Sequence, residues 1–489
     1  MELPILVDRT NADSMQEQIA GQLADMMLDG RLPAGSRLPS TRSLAKDLRV
    51  SRNVALAAYD ELFAEGYIEG RQGSGTYVVH DLPVQPQPED KADAAQPRWL
   101  EKQAPPTVAS PARVARMIDF RPGQPSVEPL SDQVWRKLWR EMAGEQPPDA
   151  YGPPEGYPEL REAVARYVGR SRGITCSPDS VVITSGSLQA VNLIAQAAVR
   201  NGDGVAFEEP GYPTSRAALQ MHGARIVPVP VDRDGLDVAC LDTAQPAPIL
   251  AYVTPSHQYP TGARMSVVRR LALLEWARRT DSLIVEDDYD SELRFDATPL
   301  PALASLEQAS ADGVHPTGPR HVAYIGTFSK TLTPALRVGY VIAPAVLRDR
   351  LIRIKHLTDF QTSWPLQRML TAFLDDNSFN RHIRRMRRHY AEKRELLGSI
   401  FEPLAGIADL RGLEAGLHAY LEIDPAVPCS EVERAARARG VQVATIDEYF
   451  HGSPTRNGIL LGYGGLTLDQ IERGGTILAG ILQQCSRAC

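Results

Sequence analysis

The first eighty residues show the apolar spacing of short helices followed by a hairpin. Apolar side chains recur every three or four positions from Ile19 to Met27, which predicts an amphipathic helix. Ser14 stands just before this stretch, where a helix N-cap is expected. Gly30 follows it and is expected to end the helix.

A second and a third helix and two strands are predicted in the same unit. The third helix is predicted from Arg52 to Glu65. It is expected to direct four apolar side chains inward, namely Val54, Ala58, Leu62 and Phe63. Aromatic and β-branched runs at 67–68 and 77–79 then bracket a glycine-rich tip. This pattern predicts a winged helix-turn-helix over residues 1–80.

Residues 81–112 separate this unit from the rest of the chain. They are rich in proline, alanine and glutamine and show neither the helical nor the strand period. Such a segment cannot bury enough apolar surface to fold by itself. We therefore predict a linker that its prolines partly stiffen.

The remaining residues, 113–489, alternate β-branched runs with helical stretches. The predicted strands are 181–183, 205–207, 249–253, 283–286, 322–325 and 338–342. This alternation predicts a mostly parallel sheet covered by helices, in which ligands bind beyond the carboxyl ends of the strands. A smaller α+β subdomain is predicted at roughly 400–489. Its strands are expected near 417–423, 441–446 and 458–463.

The composition restricts the cellular compartment that we expect and the kinds of metal site and disulfide that the chain can form. No apolar run approaches the ~20 residues that a membrane helix needs. The N-terminus lacks the basic and apolar segments of a signal peptide, and the five cysteines show no paired spacing. We therefore expect a cytoplasmic protein with no metal site and no disulfide framework.

Charge is unevenly distributed along the chain. The formal net charge of −7 taken alone argues against nucleic acid binding. Between residues 31 and 52, however, six basic residues stand against one acidic residue, a local charge of +5. Such a patch can attract DNA even on an acidic protein.

The stretch LPSTRSLAKDLRVSRNVALAAYDELFAEGYIEGRQGSGTYV (38–78) resembles the GntR family of winged-helix regulators. A helix-turn-helix places the start of its recognition helix in the major groove, and here that start is Arg52 and Asn53. Arginine can bind guanine and asparagine can pair with adenine. The resemblance implies further DNA contacts from Arg42 and Ser43 on phosphates and from Arg71, Gln72 and Gly73 at the wing. A lone arginine would be better explained as a solvated surface charge, but the whole ordered pattern favours DNA binding.

The segment TFSKTLTPALRVGY (327–340) resembles the Schiff-base segment of fold-type I aminotransferases. The resemblance implies that Lys330 forms an imine with the aldehyde of pyridoxal 5'-phosphate (PLP). Ser329 and Arg337 would then bind the cofactor phosphate. Taken alone, Lys330 also fits a surface lysine between two strands, but that explanation leaves the other motifs unexplained.

The segment LIVEDDYDSE (283–292) places two further candidates directly after a strand. By resemblance, Asp287 faces the pyridine nitrogen and keeps it protonated. Tyr289 would hydrogen-bond the ring hydroxyl. Asp287 in isolation could equally be a helix cap or a salt-bridge partner.

Two weaker motifs complete the cofactor pattern. VVITSGSLQAVN (181–192) reads as strand, turn and helix, and a helix N-terminus attracts phosphate. The residues at that N-terminus are Ser187, Leu188 and Gln189. EEPGYP (208–213) places Tyr212 at another strand end, where the family stacks an aromatic residue on the ring. Without this context Tyr212 could equally belong to the core.

YGPPEGYPELREAV (151–164) resembles the segment whose first tyrosine reaches the phosphate of the neighbouring subunit. Tyr151 in that role requires a homodimer. Two-fold symmetry then implies an operator with two half-sites. A flexible linker of about thirty residues spans roughly 30 Å, which makes a head-to-tail swapped dimer feasible.

A winged helix followed by these five segments in one chain is similar to the MocR subfamily of GntR regulators. The resemblance implies an α/β fold: an N-terminal winged helix-turn-helix plus a large fold-type I PLP-dependent aminotransferase-like domain with a smaller C-terminal α+β subdomain. It implies a DNA-binding transcription regulator that senses PLP, or an amine or amino-acid effector, through a Schiff base on Lys330.

Two positions depart from working aminotransferases. Tyr259 precedes Pro260 where those enzymes carry an asparagine, and Leu460 stands where they carry an arginine for the substrate carboxylate. A buried carboxylate without its cation is unfavourable, so ordinary amino-acid turnover is not expected. Arg456 and Arg216 are the remaining candidates to bind an effector.

Two alternative functions follow from the same motifs. The first is an active PLP-dependent aminotransferase that carries an accessory DNA-binding domain, and the two departures count against it. The second is a regulator built on a cofactor-free scaffold. The intact cofactor residues count against this second alternative, namely Lys330, Asp287, Tyr289 and Arg337.

Overall fold

The computed structural model describes residues 3–9, 13–71, 74–80, 117–295, 300–309 and 320–488. The chain divides into two compact units, Met1–Gln103 and Ala104–Cys489. The predicted linker and the wing residues Gln72 and Gly73 lie outside the described residues. Among the helices that are described, none is both long and apolar enough to span a bilayer.

The first unit contains the predicted helices and hairpin. Its elements are α1 (Met15–Leu28), α2 (Thr41–Asp47), α3 (Arg52–Ala64), β1 (Ile68–Arg71) and β2 (Gly75–Val78). A serine caps each helix, because the Oγ atoms of Ser14, Ser40 and Ser51 accept hydrogen bonds from backbone N–H groups in the first turn. Strands β1 and β2 pair in antiparallel fashion. The winged helix-turn-helix prediction is therefore confirmed.

The inner face of α3 differs from the prediction at one residue. The buried side chains of α3 are Ala55, Ala58, Tyr59 and Leu62, and the predicted Val54 is half-buried against the same core. Phe63 was predicted to point inward but is 42% exposed. The helical period explains this result, because the buried positions already form a stripe at three- and four-residue spacing and Phe63 lies outside it.

The second unit is built around a large sheet. Its strands are β4 (Val181–Thr184), β5 (Gly204–Glu209), β6 (Arg225–Asp232), β7 (Gly235–Leu236), β8 (Pro248–Val253), β9 (Leu283–Asp288), β10 (Val322–Thr327) and β11 (Gly339–Ile342). Among the described residues they form one sheet in the order β4-β11-β10-β9-β8-β5-β6-β7. Strands β5, β6, β8, β9 and β10 pair in parallel, and β7 and β11 are antiparallel to their neighbours.

Helices cover both faces of this sheet, and apolar clusters lie on both sides of it. The helices of the unit are α4 (Asp132–Ala143), α5 (Pro158–Arg172), α6 (Ser187–Ala198), α7 (Pro213–Met221), α8 (Val267–Thr280), α9 (Leu303–Ala309), α10 (Ala345–Thr358), α11 (Trp364–Asp375), α12 (Ser378–Phe401), α13 (Cys429–Ala438) and α14 (Leu468–Ala488). Burial on both faces explains the continuous apolar runs of the central strands.

The smaller subdomain contains two short sheets. Its strands are β3 (Ile118–Asp119), β12 (Ala408–Arg411), β13 (His418–Ile423), β14 (Val441–Gln442), β15 (Ala444–Thr445) and β16 (Gly458–Gly462). The described strands form one sheet in the order β12-β13-β16-β15 and a second sheet of β14 with β3. The prediction of a single strand at 441–446 is therefore wrong. Val443 separates β14 from β15, and each of these strands pairs in a different sheet.

Candidate cofactor site and nucleic-acid interface

Lys330 follows the carboxyl end of β10, where a parallel sheet places its ligands. Its Nζ donates a 2.7 Å hydrogen bond to the backbone carbonyl of Gly123. Burial lowers the pKa of the Lys330 ammonium, and the carboxylates of Asp290 and Asp287 oppose this effect. A lower pKa increases the fraction of neutral amine, which is the form that reacts with an aldehyde.

Asp287 lies near the end of β9 and is buried. Its Oδ2 accepts a 2.5 Å hydrogen bond from the hydroxyl of Tyr252 on the neighbouring strand β8. Its Oδ1 is buried and has no hydrogen-bond partner among the described residues. Burial raises the pKa of the Asp287 carboxyl to about 7. A positively charged N–H group placed at Oδ1 would favour the ionised form.

The turn before α6 provides donors suited to phosphate, and we call this place the phosphate cup. It consists of Ser185, Gly186, Ser329 and Arg337. Gly186 has φ of +92°, and a Cβ atom there would lie 2.8 Å from Nη2 of Arg337, so this position requires glycine. The same Nη2 donates a 3.0 Å hydrogen bond to the carbonyl of Ser185. Ser329 Oγ is buried and has no partner within the described part of the chain. No side chain caps α6, whose first residues are Ser187 and Leu188.

The side chain of Gln189 supports this cup. Its Oε1 accepts a 2.7 Å hydrogen bond from the backbone N–H of Ser185, and its Nε2 donates a 2.7 Å bond to Oδ2 of Asp359. The side chain is thus engaged with protein groups at both ends. Any contact of Gln189 with phosphate would therefore have to come from its backbone.

Tyr289 is held by a buried ion pair. Its hydroxyl donates a 3.0 Å hydrogen bond to the carbonyl of His257. The imidazole of His257 contacts Asp290 Oδ2 at 2.8 Å through Nδ1 and the Gly412 carbonyl at 3.2 Å through Nε2. Burial alone would lower the pKa of His257, but Asp290 and these hydrogen bonds raise it overall. Both nitrogens face oxygen acceptors, so the protonated imidazolium fits this place.

His418 approaches the same pair, and the ligand atoms of His257, Asp290 and His418 lie within 4.8 Å of one another. Its Nε2 is hydrogen-bonded to the carbonyl of Pro260 at 3.2 Å. Burial lowers the pKa of His418 well below its usual value, and the charge of His257 adds to this effect. A neutral His418 beside a charged His257–Asp290 pair accounts for the cluster without a metal ion.

The two predicted aromatic ligands have different surroundings. Tyr212 is half-buried at the start of α7, and its ring meets the ring of Tyr259 edge to face at 5.2 Å. Tyr151 is 79% exposed on this chain, and its ring packs against Phe360 at 4.6 Å. An exposed Tyr151 agrees with a role across a subunit boundary, which stays a prediction.

Sequence reasoning missed Tyr252 and Gly123. Strand β8 pairs with β9 in parallel and aligns Tyr252 with Val285, two residues before Asp287. The Tyr252 hydroxyl is thereby brought onto the Asp287 carboxylate. The alternation of side chains along a strand could have suggested Tyr252, whereas Gly123 stands 207 positions from Lys330 and gave no local signal.

Arg52 and Asn53 form the exposed first turn of α3, and Arg42 and Ser43 are exposed on α2. In the described part of the chain, neither Arg42 nor Arg52 forms an ion pair. By contrast, two other arginines of the unit are paired, Arg31 with Asp29 at 2.6 Å and Arg71 with Glu69 at 2.9 Å. Arg42 and Arg52 therefore present uncompensated positive charge to solvent.

Known families match both parts of the chain. Residues 15–78 match the family described as bacterial regulatory proteins, gntR family, and residues 115–450 match aminotransferase class I and II. The probable rhizopine catabolism regulatory protein MocR of Rhizobium meliloti is 35% identical over 96% of this chain and 94% of that protein. The HTH-type pyridoxine biosynthesis transcriptional regulator PdxR of Corynebacterium glutamicum is 32% identical over 96% of each chain.

Solved structures agree with the fold of the larger unit. The α-aminoadipate aminotransferase LysN of Thermus thermophilus, complexed with N-(5'-phosphopyridoxyl)-L-leucine, has a TM-score of 0.69 and 26% identity over 77% of this chain and 94% of that one. The chain therefore belongs to the MocR subfamily of GntR-family transcription regulators, in which a DNA-binding winged helix-turn-helix is joined to an aminotransferase-like domain.

Proposed function

We propose that this regulator binds PLP on Lys330 and that PLP, or an amine or amino-acid effector bound beside it, controls operator binding. The observation that carries the proposal is the presence of two buried oxygens without partners in the described chain, Asp287 Oδ1 and Ser329 Oγ, in the motifs around Lys330. When bound, the cofactor supplies an aldehyde that reacts with amines and a pyridine ring that withdraws electrons.

Each end of the cofactor has residues suited to hold it. Asp287 would hold the protonated pyridine nitrogen through Oδ1, which has no partner in the described chain, while the Tyr252 hydroxyl donates to Oδ2. Ser329, Arg337 and the uncapped N-terminus of α6 supply donors and positive charge for the phosphate. Of these groups, Asp287 Oδ1 and Ser329 Oγ have no partner in the described chain, whereas Arg337 Nη2 also donates to the Ser185 carbonyl.

Tyr289 would hydrogen-bond the ring hydroxyl in this arrangement, and because its single O–H donates to the His257 carbonyl, its oxygen would accept that bond. The charged His257–Asp290 pair fixes the Tyr289 side chain through the His257 carbonyl and ring. The amine of Lys330, whose pKa burial lowers, is the attachment point. Burial around the pair keeps this geometry rigid, since a buried ion pair loses much of its stability if either partner moves.

The regulatory proposal is tested by sequencing the DNA fragments that the purified protein retains, with and without PLP. We expect one enriched operator motif whose recovery changes with PLP. Equal recovery of the same fragments in both states would contradict control by the cofactor.

Arg52 and Arg42 are expected to contribute differently to operator binding. Arg52→Ala should lose base discrimination, costing ~1–3 kcal/mol at one base pair, because Arg52 begins the recognition helix. Arg42→Ala should weaken all sequences alike and reduce the salt slope by about one, as expected for a phosphate contact. Fluorescence anisotropy with operator and scrambled DNA at several salt concentrations measures both effects.

Arg31→Ala is the matched control for these variants. Arg31 lies in the same unit, but its guanidinium is already paired with Asp29. An exposed ion pair of this kind contributes little, so this variant should bind operator nearly as the wild type does. Unchanged operator binding in both Arg52→Ala and Arg42→Ala would rule out the proposed DNA contacts.

We further propose a constitutive homodimer in which Tyr151 completes the partner's phosphate site. Two DNA-binding units then recognise two related half-sites, and the linker length permits a head-to-tail swapped arrangement. Light scattering should give a dimer with and without PLP, and footprinting should protect two repeats. PLP should change the footprint or affinity and not the oligomeric state.

Tyr151→Ala is expected to weaken PLP retention while leaving the dimer intact. The phenol contributes one hydrogen bond to the phosphate, so a loss of about tenfold in affinity is reasonable. A monomer at micromolar protein concentration, or unchanged PLP affinity in Tyr151→Ala, would contradict this role.

Regulation is favoured over catalytic turnover. Leu460, where an aminotransferase would carry the substrate arginine, is fully buried in an apolar cluster with Tyr449 and Tyr420. Relatives that match 88% to 96% of this chain are named as regulatory proteins or transcriptional regulators. Steady-state assays with amino-acid and keto-acid pairs should therefore show no sustained turnover.

A further inference from the structure

A group of aromatic rings surrounds Tyr259, the residue that replaces the asparagine of aminotransferases. We define the aromatic wall as Tyr212, Tyr259, Tyr289, Tyr449 and His418. The ring of Tyr259 lies 5.2 Å from Tyr212, 5.8 Å from Tyr289, 5.6 Å from Tyr449 and 5.0 Å from His418. The wall borders the Lys330 site, because Tyr289 directly follows β9 and Lys330 follows β10, the strand that pairs with β9 in parallel.

Arg216 and Arg456 both donate to backbone carbonyls. Arg216 donates through Nη1 to the carbonyl of Tyr449 at 2.9 Å and through Nη2 to that of Phe450 at 3.2 Å. Arg456 donates to the carbonyl of Val231. These are the arginines that the sequence offered as effector ligands. In the structure both stabilise the chain instead.

Two further positions that could supply a cation do not do so. Arg121 is held by Asp119, whose carboxylate accepts hydrogen bonds from its Nε at 3.0 Å and its Nη2 at 2.8 Å. Leu460 is fully buried, and its apolar cluster packs against Tyr259. The side of the site away from the phosphate cup is therefore apolar where an aminotransferase would bind a carboxylate.

The charges near Lys330 also disfavour an anion. The carboxylates of Asp290 and Asp287 act on its pKa, and the cation that acts with them is Arg337, which is proposed to bind phosphate. The negative charge of Glu448, the neighbour of Tyr449 in the chain, also acts on Tyr259. The imidazolium of His257 also lies beside the wall, but it is already paired with Asp290 at 2.8 Å. A carboxylate brought here would therefore lose its hydration and would have to compete with Asp290 for this cation.

We infer that the effector is a primary amine without a carboxylate, whose apolar or aromatic body packs against the aromatic wall. The inference rests on the proposed function, because it takes Lys330 and its cofactor as the place where the amine binds. Ring faces also attract the positive charge that a free amine carries before it binds.

Phenethylamine and L-phenylalanine test the inference, since they differ only in the carboxylate. Full-length PLP-loaded protein, freed of excess PLP, is titrated with each compound, and the visible absorption band and tryptophan fluorescence give an apparent Kd. We expect phenethylamine to bind at least tenfold more tightly. A parallel titration of free PLP corrects for the intrinsic reactivity of each amine.

Leu460→Arg and its control Leu460→Met extend the test. The arginine is expected to reduce or reverse the preference for phenethylamine, and methionine should preserve it. A folded Leu460→Arg protein that keeps the full preference would overturn the inference. If the arginine variant does not fold, the wild-type comparison decides.

Wild-type protein that binds L-phenylalanine as tightly as phenethylamine, or that binds neither, would also overturn the inference. This outcome differs from failure of the proposed function. If the proposed function fails, the purified protein will show no visible absorption band from a cofactor on Lys330, whichever amine is added.

Discussion

Replacing Lys330 with alanine is expected to abolish covalent attachment of PLP. The wild-type protein should absorb near ~420 nm, as Schiff-base enzymes of this cofactor class do. Borohydride should then fix the cofactor to the peptide that contains Lys330. The half-buried Lys330 amine is suited to this reaction because burial lowers its pKa. Mass spectrometry of digests should find about one label per chain in the wild type and none in Lys330→Ala.

Lys137→Ala provides the control for this experiment. Lys137 lies on α4, and 57% of its side chain is exposed next to Glu141. Its loss should leave the absorption band and the labelled peptide unchanged. A reducible cofactor band that persists in Lys330→Ala would show that another group carries the cofactor. It would also remove the basis for assigning Asp287 and Ser329 to the same site.

The parallel sheet could be predicted because its central strands are buried on both faces. Such strands show as continuous apolar runs, as at β4 and β10. Strand β6 was missed because Pro228 and Pro230 interrupt its pattern and remove backbone donors. Among the described strands, β7 pairs with Val231 and Asp232 of β6 and with neither proline, although the Pro230 carbonyl accepts a 2.9 Å hydrogen bond from the Asp237 N–H group. Edge strands tolerate proline, and the sequence pattern alone does not identify an edge.

The site was predictable where its residues follow strands and was missed where the fold brings distant segments together. Lys330, Asp287 and Tyr289 each lie close to a strand end, in motifs that resemble a known family. Tyr252 and Gly123 were missed because their contacts depend on strand order and on the path of the chain. The roles of Arg216 and Arg456 also required the structure, since their carbonyl partners lie more than two hundred residues away.

Asp287→Asn is expected to abolish tight PLP binding and to stabilise the apo protein at pH 8. Burial raises the pKa of Asp287 in the folded chain to about 7, whereas the unfolded value is about 3.9. The free energy of unfolding therefore falls as the pH rises from about 4 to about 7. Over this range the Asp287 carboxyl ionises in the unfolded chain and stays mostly protonated in the folded chain. Three pKa units correspond to about 4 kcal/mol, which is the upper limit of the gain from removing this charge.

Thermal unfolding of apo protein between pH 4.5 and 8 measures this gain. The Asp287→Asn protein should unfold at a higher temperature than wild type at pH 8, and the difference should shrink toward pH 4.5. Tyr252 can still donate to the amide oxygen, so packing is preserved. Asp179→Asn is the control, because 77% of its side chain is exposed, and it should change neither property.

The same variant should lose PLP because a neutral amide cannot stabilise a protonated pyridine nitrogen. The expected loss in PLP affinity is at least tenfold, measured by the visible band after dialysis. If the Asp287→Asn variant unfolds at the wild-type temperature at pH 8 and retains PLP normally, Asp287 does not carry a buried charge for the cofactor. A variant with a more stable apo protein and a lower PLP affinity would instead show that the buried Asp287 carboxylate destabilises the fold and serves cofactor binding.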